Sequence, residues 1–132
     1  MRHTHAGFMG IEIPQKYGGA GMSFLASCVA VEEMAKVDAS VAVLLDVQNT
    51  LVNNVFAKWA NDDIKERAWP RLATNTVGSF ALSEPGSGSD AFALKTRADK
   101  RGDYYVINGR LELVQWNCDT FESQFVCFTS GP

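Results

Sequence analysis

A strand-like segment that ends in a Gly/Ser-rich loop has the residue types needed to hold an anionic ligand. It reads Phe80-Ala81-Leu82-Ser83-Glu84-Pro85-Gly86-Ser87-Gly88-Ser89-Asp90. Pro85 stops a strand ladder because it has no N–H to donate. The glycines allow positive φ and place no Cβ beside a ligand. Successive N–H groups, together with the serine hydroxyls, form a concave site for an anion. The segment therefore predicts a phosphate-sized cradle at the end of a strand.

Three other interpretations of this segment depend on the residues around it. A Gly/Ser loop after a strand is often a plain turn. A P-loop needs Gly-Lys-Ser/Thr at its end, and no Lys follows Gly88 directly, which excludes that motif. The spacing Gly86-x-Gly88-x-x-Ala91 fits a loose dinucleotide fingerprint, which requires a helix next. Residues 94–98 alternate and a Gly-Asp pair follows, which favours a hairpin and makes the Rossmann interpretation weak.

The first 75 residues have the apolar spacing of amphipathic helices. Three helices are predicted, with N-caps at Ser23, at Asp38 or Ser40, and at Asn61. Pro70 is predicted to end the third helix, because a proline inside a helix removes a hydrogen bond and clashes with the preceding turn. The apolar stripe of the second helix is wide enough to be buried on two sides, which predicts a central helix.

Alternating apolar residues replace the helical pattern after Thr76. Three strands are predicted, at residues 76–83, 94–99 and 104–108. The pair Asn108-Gly109 predicts a type I′ turn. The fold class is therefore α+β, in which an all-α N-terminal part precedes an antiparallel sheet. Three parts are expected: a helical domain over 1–75, the start of a β domain over 76–110 and a divergent tail over 111–132.

Size, charge and cysteine spacing limit the class of protein. A chain of 132 residues is one domain or parts of two, and an apolar fraction of 46% is enough for a core. A net charge of −3 argues against nucleic-acid binding, and no apolar run is long enough to span a membrane. Cys28, Cys118 and Cys127 lack metal-like spacing, which indicates reduced intracellular thiols. His3 and His5 stand near a terminus, so we assign no metal site.

The segment over residues 82–90 resembles the signature of the acyl-CoA dehydrogenase family, Thr/Ser-Glu-Pro-x-x-Gly-Ser-Asp. Within that family it is most similar to the short/branched-chain members. The similarity extends through residues 32–43, 48–51 and 92–100, covers about 7–110 and then stops. It implies a truncated or altered form, a fragment of a three-domain fold whose middle domain is an antiparallel β-barrel.

The resemblance implies an FAD-dependent dehydrogenase that oxidises short or 2-methyl-branched acyl-CoA in fatty-acid and isoleucine catabolism. It places the flavin and its pyrophosphate along ten residues: Phe80, Ala81, Leu82, Ser83, Glu84, Pro85, Gly86, Ser87, Gly88 and Ser89. Ser83 would hydrogen-bond the flavin ring, and Ser89 would also contact the acyl-CoA substrate. Glu84 and Asp90 are interpreted as loop supports that accept N–H groups. The second helix, with Gln48 and Asn49 as its unusual polar members, would help to line the acyl-chain pocket.

The resemblance assigns no catalytic residue to this chain, because the carboxylate base of the family lies in a C-terminal helical domain without a counterpart here. It implies electron-transfer flavoprotein as the electron acceptor, a homotetramer and a location in the mitochondrial matrix. Residues 1–6 are too short for a targeting peptide of their own.

The end of the chain departs from the family pattern. The family continues with Lys-x-Trp-Ile-Thr/Ser, whereas this chain reads Leu111-Glu112-Leu113-Val114-Gln115-Trp116, so Trp116 inherits no flavin role. Poor order is predicted after about Arg110. The alternative function is therefore a catalytically inactive fragment or a nucleotide-binding remnant, and the chain alone is predicted to have no turnover.

Overall fold

The computed structural model describes residues 7–110, together with the backbone of residues 113–115 and 124–127. A helical part comes first. It begins with two N-terminal 3-10 turns (Phe8–Gly10 and Gln15–Tyr17) and continues with α1 (Phe24–Ala35), α2 (Ala39–Asp46), a π-helical segment (Val47–Asn53), α3 (Asn54–Trp59) and α4 (Asp62–Thr74). Five strands follow: β1 (Gly78–Ser83), β2 (Arg97–Arg101), β3 (Tyr104–Asn108), β4 (Leu113–Gln115) and β5 (Gln124–Cys127). The chain thus has a helix-rich N-terminal part and a small sheet, which confirms the predicted α+β fold class.

Two of the predicted N-caps satisfy free backbone donors at helix starts. The Asp38 carboxylate accepts the Ser40 and Val41 N–H groups at 2.8 and 3.1 Å, and Ser40 itself lies inside α2. The Asn61 side chain accepts the Ile64 N–H at 2.9 Å. Ser23 occupies the N-cap position of α1, but its side chain makes no capping bond. The sequence therefore predicted the residues at which these helices start, but not which of the N-cap side chains make a capping hydrogen bond.

The prediction that Pro70 ends the third helix is wrong. Helix α4 continues through Pro70 to Thr74. Its last turn carries Leu72 and Ala73, which are 0% and 3% exposed in the core, and their burial offsets a proline cost of about 3 kcal/mol. The carbonyl that loses its partner is that of Glu66, which lies on the exposed side of the helix where water reaches it.

Residues 39–59 form the predicted central helix, and the core lies against them. The core cluster comprises Ile13, Tyr17, Val47, Val52, Phe56, Ala68, Trp69, Leu72 and Ala73. The Tyr17 and Trp69 rings pack with centroids 5.0 Å apart and tilted by 59°. The π-helical turns inside this helix were not predicted. They coincide with buried side chains that hydrogen-bond to neighbouring elements.

Strand β1 lies at the centre of a three-stranded sheet, between β4 and β5. It pairs antiparallel with β4 and parallel with β5, while β2 and β3 form a separate antiparallel hairpin. The antiparallel prediction therefore holds for two of these pairs, and the β1–β5 pair is parallel. Gly102 supplies the hairpin turn with a φ of +62°.

The strand boundaries differ from the prediction where β2 begins. It covers Arg97–Arg101 rather than residues 94–99, and a strand there excludes the Rossmann interpretation. The prediction of a type I′ turn at Asn108-Gly109 is wrong, because Gly109 does not have the positive φ that this turn requires. Asn108 stays in β3, paired with Arg97.

Predictions about the tail fall mostly on residues outside the described part. The described backbone beyond Arg110 consists of β4 and β5, so the predicted poor order stays a prediction. The division into three parts also stays a prediction. Over the described residues, no helix is long and apolar enough to cross a membrane.

Candidate functional site

The start of β1 is attached to the buried helix. Gln48, which is 1% exposed, accepts the Gly78 N–H at 2.8 Å and donates to the Leu72 carbonyl at 3.2 Å. A Cβ at Gly78 would overlap the side chain of Val52, which is fully buried. The strand that carries the candidate site is therefore positioned by the helical core.

The polar residues of the π-helical segment bind backbone groups. Asn49 accepts the Ile11 N–H at 3.0 Å and donates to the Phe8 and Leu45 carbonyls at 2.8 and 3.0 Å. Asn53 donates to the Met9 carbonyl at 2.9 Å. Gln48 and Asn49 thus connect the N-terminal turns, α4 and β1, and this bonding explains the two unusual polar positions.

The loop after β1 closes on itself. Glu84 and Ser87 exchange backbone hydrogen bonds of 3.1 and 3.0 Å, which puts Pro85 and Gly86 at the tip of a tight turn. The Ser87 hydroxyl donates to the Asp90 carbonyl at 2.7 Å. The Asp90 carboxylate accepts the Phe92 N–H at 3.1 Å, as expected of a loop support.

The two loop glycines provide space rather than an unusual backbone. Neither Gly86 nor Gly88 has a positive φ, so the conformational reason for glycine given by the sequence does not apply. A Cβ on Gly88 would meet nothing within 4 Å, and one on Gly86 would meet only the Lys95 Nζ at 3.9 Å. Both backbones are open to a ligand that approaches closely.

Glu84 joins the loop to the segment that precedes β2. Its two carboxylate oxygens accept the Lys95 N–H at 2.8 Å and the Thr96 N–H at 2.9 Å. The Thr96 side chain, followed by the Lys95 N–H, lowers the pKa of Glu84 below its usual range. The carboxylate is therefore charged at neutral pH, and its predicted role as a loop support is confirmed.

The structure places the candidate residues in one continuous strip. Phe80, Ala81, Leu82 and Ser83 lie in β1, where Ala81 is buried and the others are half-buried. Glu84 and Ser87 are buried in the loop, whereas the remaining four are exposed: Pro85, Gly86, Gly88 and Ser89. Their contacts with a flavin stay a prediction. Sequence reasoning missed Lys95 and Thr96, because no local signal shows that a later segment packs on the loop.

The described residues also form a concave surface that the loop does not line. A groove of about 790 Å³ runs along α1, and its lining is mostly apolar and includes no residue of the loop. Its volume therefore does not locate the candidate site. Within the described part, no cluster of His, Cys, Asp and Glu could hold a metal ion, and His3 and His5 lie outside that part.

Comparison with known proteins gives one consistent result. Residues 2–76 match the acyl-CoA dehydrogenase N-terminal domain family. The mitochondrial short/branched chain specific acyl-CoA dehydrogenases of Rattus norvegicus and Bos taurus are 59% and 56% identical to this chain over 103 residues. These alignments cover 78% of this chain and 24% of each relative. The chain therefore spans about a quarter of the length of these relatives.

Solved structures have the same fold over most of the chain. An acyl-CoA dehydrogenase of Geobacillus kaustophilus aligns with a TM-score of 0.77 and 32% identity, over 86% of this chain and 30% of that one. An acyl-CoA dehydrogenase of Bacillus anthracis complexed with FAD aligns with a TM-score of 0.84 and 27% identity, over 98% and 22% of the two chains. An electron transferring flavoprotein structure of Acidaminococcus fermentans gives a TM-score of 0.80 and 34% identity, over 86% and 30%.

Proposed function

The chain belongs to the acyl-CoA dehydrogenase family, and we propose that it provides the N-terminal helical part and the flavin-contacting loop of an FAD-dependent enzyme. The proposed substrate is a short or 2-methyl-branched acyl-CoA, which loses hydrogens from its α and β carbons. The observation that carries this proposal is the loop at residues 80–90, which combines the family signature with two open glycine positions. Identities of 56–59% to short/branched chain enzymes support the substrate class.

The residues of the loop fit a dinucleotide whose phosphates need close backbone approach. The Ser83 hydroxyl, at the half-buried end of β1, would bond the flavin ring. The Gly86 and Gly88 backbones and the exposed Ser89 would face the pyrophosphate, and Ser89 would also meet the acyl-CoA. Ser87 donates both of its protons within the loop, so its proposed part is to hold the loop in shape. Bound FAD would supply the hydride acceptor.

Glu84 is a loop support in this proposal and not the proton-abstracting base. Both of its oxygens accept backbone N–H groups, and its pKa is lowered chiefly by the Thr96 side chain. A general base works best with a pKa near the working pH. The base is therefore proposed to come from a part of the family fold outside the segment that this chain matches.

The partners of the complete enzyme belong to the same proposal. Electron-transfer flavoprotein would reoxidise the flavin, and the assembly would be a homotetramer in the mitochondrial matrix that acts in isoleucine and fatty-acid catabolism. Two relatives that carry the word mitochondrial in their names support the location.

A second candidate is a flavin-nucleotide-binding unit without activity. It is favoured by the chemistry of the loop, because both oxygens of its carboxylate Glu84 accept backbone N–H groups and are not available as a base. Both candidates share the loop and its cofactor, and they differ in turnover. We propose that the chain by itself binds FAD weakly and does not turn over.

Flavin titration followed by a turnover assay tests both candidates. The 132-residue chain is mixed with FAD, a 2-methyl-branched acyl-CoA and an artificial electron acceptor. We expect weak FAD binding that Ser83→Ala reduces, unchanged binding in the control Ser23→Ala, and no turnover. Turnover abolished by Ser83→Ala would show that a base is present and would contradict the inactive unit. Absence of FAD binding would contradict the proposed function.

A further inference from the structure

The side chain of Lys95 reaches the open side of the loop. Among the described residues, and apart from the two chain neighbours of Gly86, its Nζ is the one heavy atom within 4 Å of a Cβ built on Gly86, at 3.9 Å. The sequence has no lysine directly after Gly88, which excluded a P-loop. Folding nevertheless brings a lysine beside the glycines, from a later segment of the chain.

The backbone of Lys95 is held in place by the loop itself. The Glu84 carboxylate accepts its N–H at 2.8 Å and that of Thr96 at 2.9 Å. The positive charge of Lys95 helps to lower the pKa of Glu84, after the hydrogen bonds from Thr96 and Lys95. The Lys95 side chain is exposed, and its Nζ lies beside Gly86 on the open side of the loop.

The N–H groups of the two glycines point to the same kind of ligand. Within the described residues, neither Gly86 nor Gly88 donates a backbone hydrogen bond. Backbone N–H donors without a Cβ nearby form anion sites of the kind used for phosphates, and the Lys95 ammonium lies beside one of these two residues, Gly86. Lysine binds phosphate as a compact point charge.

We propose that Lys95 is a further binding residue of this loop and that its ammonium, with the Gly86 and Gly88 N–H groups, holds a pyrophosphate group. The ligand chemistry rests on the proposed function, because FAD and coenzyme A both contain a pyrophosphate. Glu84 positions Lys95 by accepting its backbone N–H. The carboxylate therefore has a structural role, and the lysine side chain has the ligand-binding role.

Titrations of the full 132-residue chain with paired ligands test this assignment. FAD is compared with riboflavin, coenzyme A with pantetheine, and inorganic pyrophosphate is titrated alone. We expect Lys95→Gln to weaken the binding of the pyrophosphate-containing ligand about three- to tenfold, as for one partly exposed charged contact. Riboflavin and pantetheine affinities stay unchanged. The FAD and coenzyme A arms show which molecule supplies the pyrophosphate.

Two matched variants separate charge from structure. Lys95→Arg keeps the charge and is expected to bind within about twofold of the original chain. Lys100→Gln removes an exposed lysine from β2, where Lys100 is paired with Tyr105, and is expected to leave binding unchanged. The affinity of the original chain should fall as salt rises from about 0.05 to 0.5 M. The affinity of Lys95→Gln should fall less over the same range, because this variant lacks one charge pair that salt can screen.

Each remaining result decides the assignment. An equal loss of riboflavin and FAD binding in Lys95→Gln would mean that the residue acts on the structure, which overturns it. Unchanged binding of FAD, coenzyme A and inorganic pyrophosphate in that variant overturns it too, while the flavin proposal stands. If the original chain binds no flavin, the proposed function fails, and pyrophosphate binding with its loss in Lys95→Gln decides the role of Lys95 independently.

Discussion

Helix α1 and the central helix over residues 39–59 have similar apolar spacing but very different surroundings. In α1 the one buried residue is Ser27, while Leu25 is 71% exposed and Val29 is 50% exposed. In the π-helical segment, Val52 and Asn49 are 0% exposed. Apolar periodicity therefore predicts that a helix forms, and the hydrogen bonds of a few polar side chains reveal where it is buried.

The difference also divides the roles of the two helices. The central helix holds the N-terminal turns, α4 and β1 together through Gln48, Asn49 and Asn53. The outer face of α1 forms an apolar wall of the groove of about 790 Å³. Stability should therefore depend strongly on the first region and weakly on the second, which gives a ranked set of tests.

The substitution Asn49→Leu should have the largest effect. It leaves the buried Ile11 N–H without its partner and also removes the bonds to the Phe8 and Leu45 carbonyls, so that the loss should be roughly 2–6 kcal/mol in sum. Urea unfolding of the 132-residue chain measures the loss. The half-buried Asn54→Ala, which removes one bond to the Thr50 carbonyl, is the control and should cost about 1 kcal/mol. Equal losses would contradict the role given to the π-helical segment.

Two Leu→Ala substitutions compare the regions with identical chemistry. Leu72→Ala removes a side chain that is 0% exposed and should cost about 2–5 kcal/mol. Leu25→Ala, on the outer face of α1, should change the free energy of unfolding by less than about 0.5 kcal/mol. Chemical denaturation measures both. A cost for Leu25→Ala near that for Leu72→Ala would show that α1 is covered in solution.

The two helix N-caps make a smaller contrast. Asp38→Ala removes a carboxylate that accepts two backbone N–H groups at the start of α2, with an expected loss of about 1 kcal/mol. Ser23→Ala should be nearly neutral, because the Ser23 side chain makes no capping bond. Thermal unfolding of both variants measures the difference. The prediction is wrong if Ser23→Ala is the more damaging change.

The smallest effect is local and depends on pH. Because hydrogen bonds lower the pKa of Glu84 from its usual 4.5, its contribution is complete above that value and is lost as pH falls through the lower, folded-state pKa. The protection factors of the Lys95 and Thr96 amides, which compare the observed exchange with the intrinsic rate at each pH, should therefore fall in acid. Glu84→Gln should abolish this pH dependence, and the exposed Glu33→Gln should leave it intact. Equal protection of these two amides in the original chain and in Glu84→Gln, at neutral and at acid pH, would contradict the role of Glu84.

Local sequence signals predicted the helices and the caps because both depend on neighbouring residues. The three helical stretches, the Asp38 and Asn61 caps and strand β3 follow from spacing and side-chain chemistry within a few residues. The passage of α4 through Pro70 and the π-helical turns do not, because contacts with distant elements decide them. The exposure of α1 escaped prediction for the same reason.

The candidate site was predicted from contiguous residues, and its contacts with a cofactor stay a prediction. The signature gave residues 80–89 and the support role of Glu84, whose acceptance of N–H groups the structure confirms. It could not show that the Ser87 hydroxyl donates its hydrogen bond within the loop, or that the Lys95 side chain lies beside Gly86. Both facts arise from the way the chain returns to the loop after Asp90.

The attachment of β1 at Gly78 makes the strand a lever arm. The Gln48–Gly78 bond lies at one end and Ser83 at the other, about 16 Å away at a strand rise of about 3.3 Å per residue. A tilt of roughly 5° at the attachment would displace Ser83 by about 1.4 Å, beyond the roughly 0.5 Å that a preorganised binding site tolerates. The buried Gln48–Gly78 bond, together with the pairing of β1 with β4 and β5, thus governs the position of Ser83, which Gln48 does not contact.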